Sequence, residues 1–196
     1  ILFTVKSLGV DLLTISAHKI HGPKGVGALY VRQGLRLSPR SFGGGQESGL
    51  RSGTESVPLI AGFGAAVECG LKSLERDIAE MAKIRDYIRA QLSERLPEAR
   101  ILGSAAAPHI LCVSLPGYKS EVLLNWLDKR GICVSKGSAC KRGRRSHVLE
   151  AMGLGSSEID GALRVSLSAQ STMDEAEAFV AAFVEAKNEL YGVLGA

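Results

Sequence analysis

Aromatic residues are scarce, 5% of 196 with a single Trp. No basic tract is interleaved with aromatic side chains, so direct nucleic-acid binding is not expected. No apolar run reaches the roughly 18 residues of a membrane span, so neither a transmembrane helix nor a membrane partner is expected. The opening residues lack the basic segment, long apolar core and small-residue cleavage site of a secretory signal. Cysteine is sparse: four residues, at 69, 112, 133 and 140, with no Cys-x-x-Cys pair. Zinc sites draw on close ligand pairs, which the four histidines do not supply, so no metal is expected. Without a secretory signal, free thiols in a reducing compartment, the cytoplasm, are expected in place of disulfides.

What is present is ordinary for a globular chain: 45% hydrophobic and 22% charged residues, with a net charge of +4. Such a composition excludes a disordered chain. Glycine is the exception, 23 of 196 residues against a usual share of about 7%. Its spacing is irregular, which excludes collagen and predicts Gly-dense loops. The length suits one ordinary domain or two small ones.

Hydrophobic periodicity outlines the elements. Val10–Ser16 reads as a buried strand with Asp11 at its edge, and Val26–Val31 as a second strand after a Gly-Pro-Lys-Gly turn. Residues 33–55, rich in Gly and Ser, predict a long loop, of the kind that usually carries function. Ser56 suits a helix N-cap, and small apolar residues run on to Gly70. Leu71, Leu74, Ile78, Met81, Ile84, Ile88 and Leu92 continue as an amphipathic helix to Leu96. Strands at His109–Leu115, Ile132–Ser135 and Leu163–Ser168 alternate with helices at Ser120–Arg130 and Ser146–Met152. A last helix starts at Thr172, where Glu175 completes a capping box, and runs to Tyr191. The alternation implies an α/β chain. A composition break near 97–108 predicts two parts, 1–97 and 98–196. A strand this early, with no initiator Met and nothing before it to cover it, leads us to expect the later part of something larger.

Four groups of residues carry potential chemistry. The run Ser16-Ala17-His18-Lys19-Ile20-His21-Gly22-Pro23-Lys24-Gly25 follows a strand, at the end where α/β proteins place ligands. A lysine partly desolvated there becomes a usable amine nucleophile, and Ser16 and His18 can hold an adjacent phosphate. A solvated turn with two ordinary lysines fits the same residues. The run from Gly43 to Thr54 joins glycines, which admit close backbone approach, to Arg51, Ser52 and Thr54, which are phosphate-type donors. A flexible surface loop is the alternative. Cys140 lies among Lys136, Lys141, Arg142, Arg144 and Arg145, cations that favour its thiolate, whereas Cys69, Cys112 and Cys133 read as packing. The cations read either as a solvated loop or as a docking face for an acidic partner. Arg164, amid the alternation Leu163–Ser168, suits a bidentate carboxylate or an outward-facing strand position. His109 and His147 read as structural.

Taken together, these segments resemble the cysteine desulfurases of the class V aminotransferase group, fold-type I pyridoxal-phosphate enzymes. Ser16 to Gly27 resembles their cofactor-lysine motif, and Arg51-Ser52-Gly53-Thr54 their second phosphate segment. Ser135-Lys136-Gly137-Ser138-Ala139-Cys140 resembles their catalytic-cysteine loop, and Ser146-His147-Val148-Leu149 the helix after it. The resemblance covers roughly the family's C-terminal half. It implies the last part of a large cofactor-binding domain (1–97) followed by a smaller C-terminal α/β domain (98–196).

The resemblance also implies roles. Lys19 carries pyridoxal phosphate, with Ser16, Ala17 and His18 along its phosphate. Thr54 reaches the phosphate of a neighbouring subunit, hence a homodimer. Cys140 takes sulfur from L-cysteine as a persulfide, releasing alanine, and Arg164 holds the substrate carboxylate. A protein sulfur acceptor, such as an iron–sulfur scaffold or a tRNA-thiolation protein, is expected, with Lys141, Arg142, Arg144 and Arg145 as the face on which an acidic one would dock. The competing expectations are a selenocysteine lyase or related β-elimination enzyme, and a non-catalytic interaction module. Two features depart from the family pattern: Lys136 stands where a small residue is common, and the stretch from Cys140 to Ser146 is short and very basic.

Overall fold

The computed structural model describes residues 3–104, 106–136 and 146–190. The chain divides into two compact units, 1–74 and 75–196. The division falls within a long helix; the composition break at 97/98 lies at that helix's far end.

The first unit opens with α1 (Val5–Leu8), a single turn that the sequence reading omits. Thr4 and Ser7 cap it reciprocally at 3.0 Å, and Gly9, at φ 62, ends it. Then β1 (Leu12–Ser16) pairs antiparallel with β2 (Gly27–Val31), Leu12 opposite Val31 and Ser16 opposite Gly27. A Cβ at Gly27 would run into the Ile15 carbonyl, so this position requires glycine. At the open end Asp11 pairs with Arg32 at 2.8 Å.

The expected burial of β1 is corrected. Leu12, Ile15 and Leu29 are 44%, 46% and 50% exposed. Apolar residues record what a strand can bury; burial itself needs a covering layer, which the described residues of this unit do not supply.

The loop expected over 33–55 contains one bridge, Ser41 to Arg51, and a 3-10 turn, Glu47–Gly49. It leads into α2 (Val57–Arg95), 39 residues long, which unites the small-residue run and the amphipathic stretch in one helix. Pro58 sits in the first turn, where a missing N–H breaks no helical bond. A Cβ at Gly62 would come within 2.7 Å of the Pro23 ring, so glycine lets α2 pass against the turn between β1 and β2. By length and composition alone α2 is apolar enough to cross a membrane.

The second unit holds the core. From α2, Ile84, Ile88 and Leu92 are buried at four-residue spacing, and Leu96, just past its end, continues the series. After it come β3 (Arg100–Leu102), β4 (Ile110–Ser114), α3 (Ser120–Asp128), α4 (His147–Ala151), α5 (Ser156–Asp160), β5 (Ala162–Ser166) and α6 (Met173–Glu189). The sheet has the order β3-β4-β5 and both pairings are antiparallel. Leu111, Val113, Leu163 and Val165 turn one sheet face into the core, against Phe179, Val180 and Phe183 of α6. Thr172 and Glu175 form the expected capping box at 3.2 and 2.9 Å. The strand expected at Ile132–Ser135 is corrected: only Ser135 pairs, as an isolated bridge to Arg164. The short β3 and α5 escape the sequence reading because three to five residues carry too little periodicity.

Candidate active site

Lys19 is placed by backbone geometry. As β1 ends, the chain turns through one 3-10 turn, Ala17–Ile20. Ala17 is fully buried and its N–H donates to the Val26 carbonyl at 3.1 Å, which ties the turn to the hairpin. His21, at φ 65, closes the turn, its N–H donating to the Ala17 carbonyl. A histidine in the left-handed region is uncommon and marks a position where local strain is held by its surroundings. The Gly22 N–H also reaches the Ala17 carbonyl, at 2.9 Å, and a Cβ on Gly22 would sit 3.0 Å from the Ala17 methyl.

The turn presents Lys19 beside a depression lined by Thr14, Ile15, Ser16, Lys19 and Ile20. No carboxylate pairs with Lys19 among the described residues. The Ser16 hydroxyl caps nothing, and Ser16, His18 and Lys19 are all exposed. The desolvation expected for Lys19 is therefore not provided by the described residues, because β1 is not buried.

The glycine-rich loop is pinned by a residue the sequence reading passed over. Gln46 Oε1 accepts from the Gly53 N–H at 3.0 Å, folding the loop back just before Thr54. Between them Glu47 (φ 51) and Ser48 (φ 57) both occupy the left-handed region. Two successive non-glycine residues there cost of order 1–3 kcal/mol each and persist only where function or packing compensates. Thr54 is exposed and its hydroxyl has no partner among the described residues.

Arg164 belongs to the second unit. It lies on β5 directly opposite Cys112 on β4, on the sheet face away from the core. Its Nε donates to Ser166 Oγ at 3.2 Å, a second partner the sequence reading missed. Burial pushes the Cys112 thiol up, opposed by the Arg164 charge. Cys112 is half-buried and stands outside the core cluster. Cys69 and Cys133, read as packing, are instead exposed. Lys136 pairs with Glu121 at 3.3 Å. Cys140, Lys141, Arg142, Arg144 and Arg145 lie outside the described residues. The structure thus gathers Ser16, Ala17, His18 and Lys19 on one turn, with Thr54 elsewhere in that unit and Arg164 in the other.

A family model described as aminotransferase class-V matches residues 1–179. The chain belongs to that family. It is 42% identical over 172 residues to the cysteine desulfurase of Trichormus azollae, covering 86% of this chain and 43% of that protein. It is 38% identical over 175 residues to the cysteine desulfurase IscS of Dictyoglomus turgidum, covering 87% and 44%. The solved NifS-like protein of Rickettsia africae superposes with a TM-score of 0.85 at 35% identity, over 96% of this chain and 50% of that one. The chain therefore spans less than half the length of these curated relatives. Class-V aminotransferases of this kind imply pyridoxal phosphate as cofactor. The turn fits it: an amine without a carboxylate partner stands beside an uncommitted hydroxyl and an imidazole, next to an open depression.

Proposed function

We propose that this chain is the part of a cysteine desulfurase that carries the cofactor lysine, the sulfur-accepting cysteine and the carboxylate-binding arginine. The observation that carries the reading is the Ala17–Ile20 turn, which holds at the exit of β1 a Lys19 amine with no carboxylate partner among the described residues. Identity of about 40% to named cysteine desulfurases supports the activity.

When bound, pyridoxal phosphate supplies the electron sink that weakens bonds at the amino acid's Cα and Cβ. In this reading Lys19 Nζ would hold the cofactor. Ser16 Oγ and His18 would hold its phosphate, while Ala17 ties the turn to the hairpin. Thr54 would reach the phosphate of the neighbouring subunit in a homodimer. The Arg164 guanidinium takes the carboxylate of L-cysteine in a charge-assisted pair. The Cys140 thiolate attacks the substrate sulfur. The Cβ–S bond breaks, an S–S bond forms on Cys140, and a proton takes the sulfur's place on Cβ to give L-alanine. Lys141, Arg142, Arg144 and Arg145 then favour the persulfide anion and steer an acidic protein acceptor. Free cysteines at 69, 112 and 133 support a reducing, cytoplasmic setting.

The test is alanine release from L-cysteine by the holoenzyme in the presence of a thiol reductant. Cys140→Ser is expected to abolish it while cofactor stays bound, and borohydride is expected to fix the cofactor's mass on Lys19. Fixation on Lys24, or full alanine release by Cys140→Ser, overturns the reading. Preference for selenocysteine with no alanine from cysteine would establish the lyase instead.

A further inference from the structure

Arg164 is half-buried, and among the described residues no carboxylate lies within ion-pair reach of it. Its cross-strand neighbour Cys112 adds no negative charge, since burial favours the neutral thiol. A guanidinium held in this way is poised for an anion from outside the protein. One of its donors is already committed: Nε donates to Ser166 Oγ at 3.2 Å. Ser166 stands two residues further along β5 and therefore on the same sheet face. The guanidinium is planar, so fixing Nε fixes the plane. Its far edge, Nη1 and Nη2, then presents two parallel donors with the geometry of a carboxylate.

We propose that Ser166 is a positioning residue that holds the Arg164 fork in this orientation and so sets the preference for amino acids bearing an α-carboxylate over decarboxylated amines. The proposal rests on the reading of Arg164 given above. The hydroxyl acts through Arg164 and touches no reacting atom. Glycine or alanine at 166 would leave Nε without a protein partner and the fork free to rotate about its stem.

The experiment compares Ser166→Ala, Ser166→Thr and Arg164→Ala in the holoenzyme. It measures KM and kcat for L-cysteine, calorimetric binding of the unreactive product L-alanine, and binding of cysteamine, which lacks the carboxylate. Ser166→Ala is expected to raise KM for L-cysteine and Kd for L-alanine roughly three- to tenfold, the scale of one partly exposed hydrogen bond to a charged group. The kcat and the cysteamine affinity are expected to hold. Ser166→Thr, which keeps Oγ on a strand-compatible residue, restores the parent values. In the Arg164→Ala background, Ser166→Ala costs nothing further. Parent-like binding by Ser166→Ala beside impaired Arg164→Ala overturns the inference alone. So does an equal loss for cysteamine, or a failure of Ser166→Thr to restore. If Arg164→Ala itself leaves KM unchanged, the carboxylate reading falls and the inference with it.

Discussion

Ser135 and Arg164 exchange both backbone hydrogen bonds: the Arg164 N–H donates to the Ser135 carbonyl at 2.6 Å, and the Ser135 N–H returns the bond at 3.1 Å. Ser135 opens the segment that resembles the catalytic-cysteine loop, and Arg164 is the residue assigned to the substrate carboxylate. The start of the segment proposed to carry the sulfur acceptor is thus hydrogen-bonded to the strand that carries the arginine proposed for the carboxylate. Ser135→Pro deletes the returning donor and is expected to destabilise the second unit by about 1–3 kcal/mol. Ser135→Ala keeps both backbone bonds and separates this effect from any of the side chain. Denaturant unfolding, with amide exchange at Arg164 as the local probe, measures the difference; equal losses in the two variants would refute it.

His21 is expected to tolerate only residues at home in the left-handed region. His21→Asn keeps φ 65 accessible, whereas His21→Val adds a β-branched residue there, at a cost of about 1–2 kcal/mol. The loosened turn is expected to lower borohydride capture of cofactor at Lys19 in the valine variant and not in the asparagine variant. Capture yield and melting temperature check both parts.

Thiol reactivity is expected to follow burial. Cys69 and Cys133 are exposed, whereas burial raises the Cys112 thiol above its ordinary value and keeps it neutral at physiological pH. Among these three thiols, iodoacetamide at neutral pH is expected to label Cys69 and Cys133 before Cys112, by peptide mass mapping. Early labelling of Cys112 in the folded protein would contradict the packing shown here.

Acid sensitivity in the second unit is expected to trace partly to Glu177. It accepts from the Tyr87 hydroxyl and from Arg95 Nη1, the latter at 2.8 Å. The Tyr87 hydrogen bond and then Arg95 hold its carboxyl below the ordinary value of 4.5. A carboxylate with a depressed folded value contributes stability above its unfolded value and loses it as pH falls through the folded value. Tyr87→Phe is therefore expected to shallow the decline in stability on the acid side of pH 4.5, leaving the slope near neutrality unchanged. Urea unfolding across that range provides the measurement.

Phe183 is fully buried and stacks on Phe179 with ring centroids 5.5 Å apart. Phe183→Ala is expected to cost about 3–5 kcal/mol, whereas Phe183→Leu keeps most of the volume and costs less. Chemical denaturation ranks the two.

The parts legible in the sequence were those written in local chemistry. Thr172 and Glu175 announce their helix because a capping box is made within four residues. Ile84, Ile88 and Leu92 announce a buried face because helical spacing is periodic. The Ser16–Lys19 run stands out through its residue types at a strand's end. Tertiary structure alone decided the rest. The burial of β1 could not be read from its apolar residues, since a strand's exposure depends on what covers it. Ile132–Val134 are as β-prone as Ser135, yet only Ser135 meets a partner strand, because pairing depends on where β5 runs. Gln46 and Ser166 are ordinary polar residues in the chain. They acquire roles only when folding brings a side-chain oxygen within 3.0 Å of the Gly53 amide and 3.2 Å of Arg164 Nε. Sequence spacing specifies which groups share a face; the distances that turn shared faces into hydrogen bonds are set by the packed backbone.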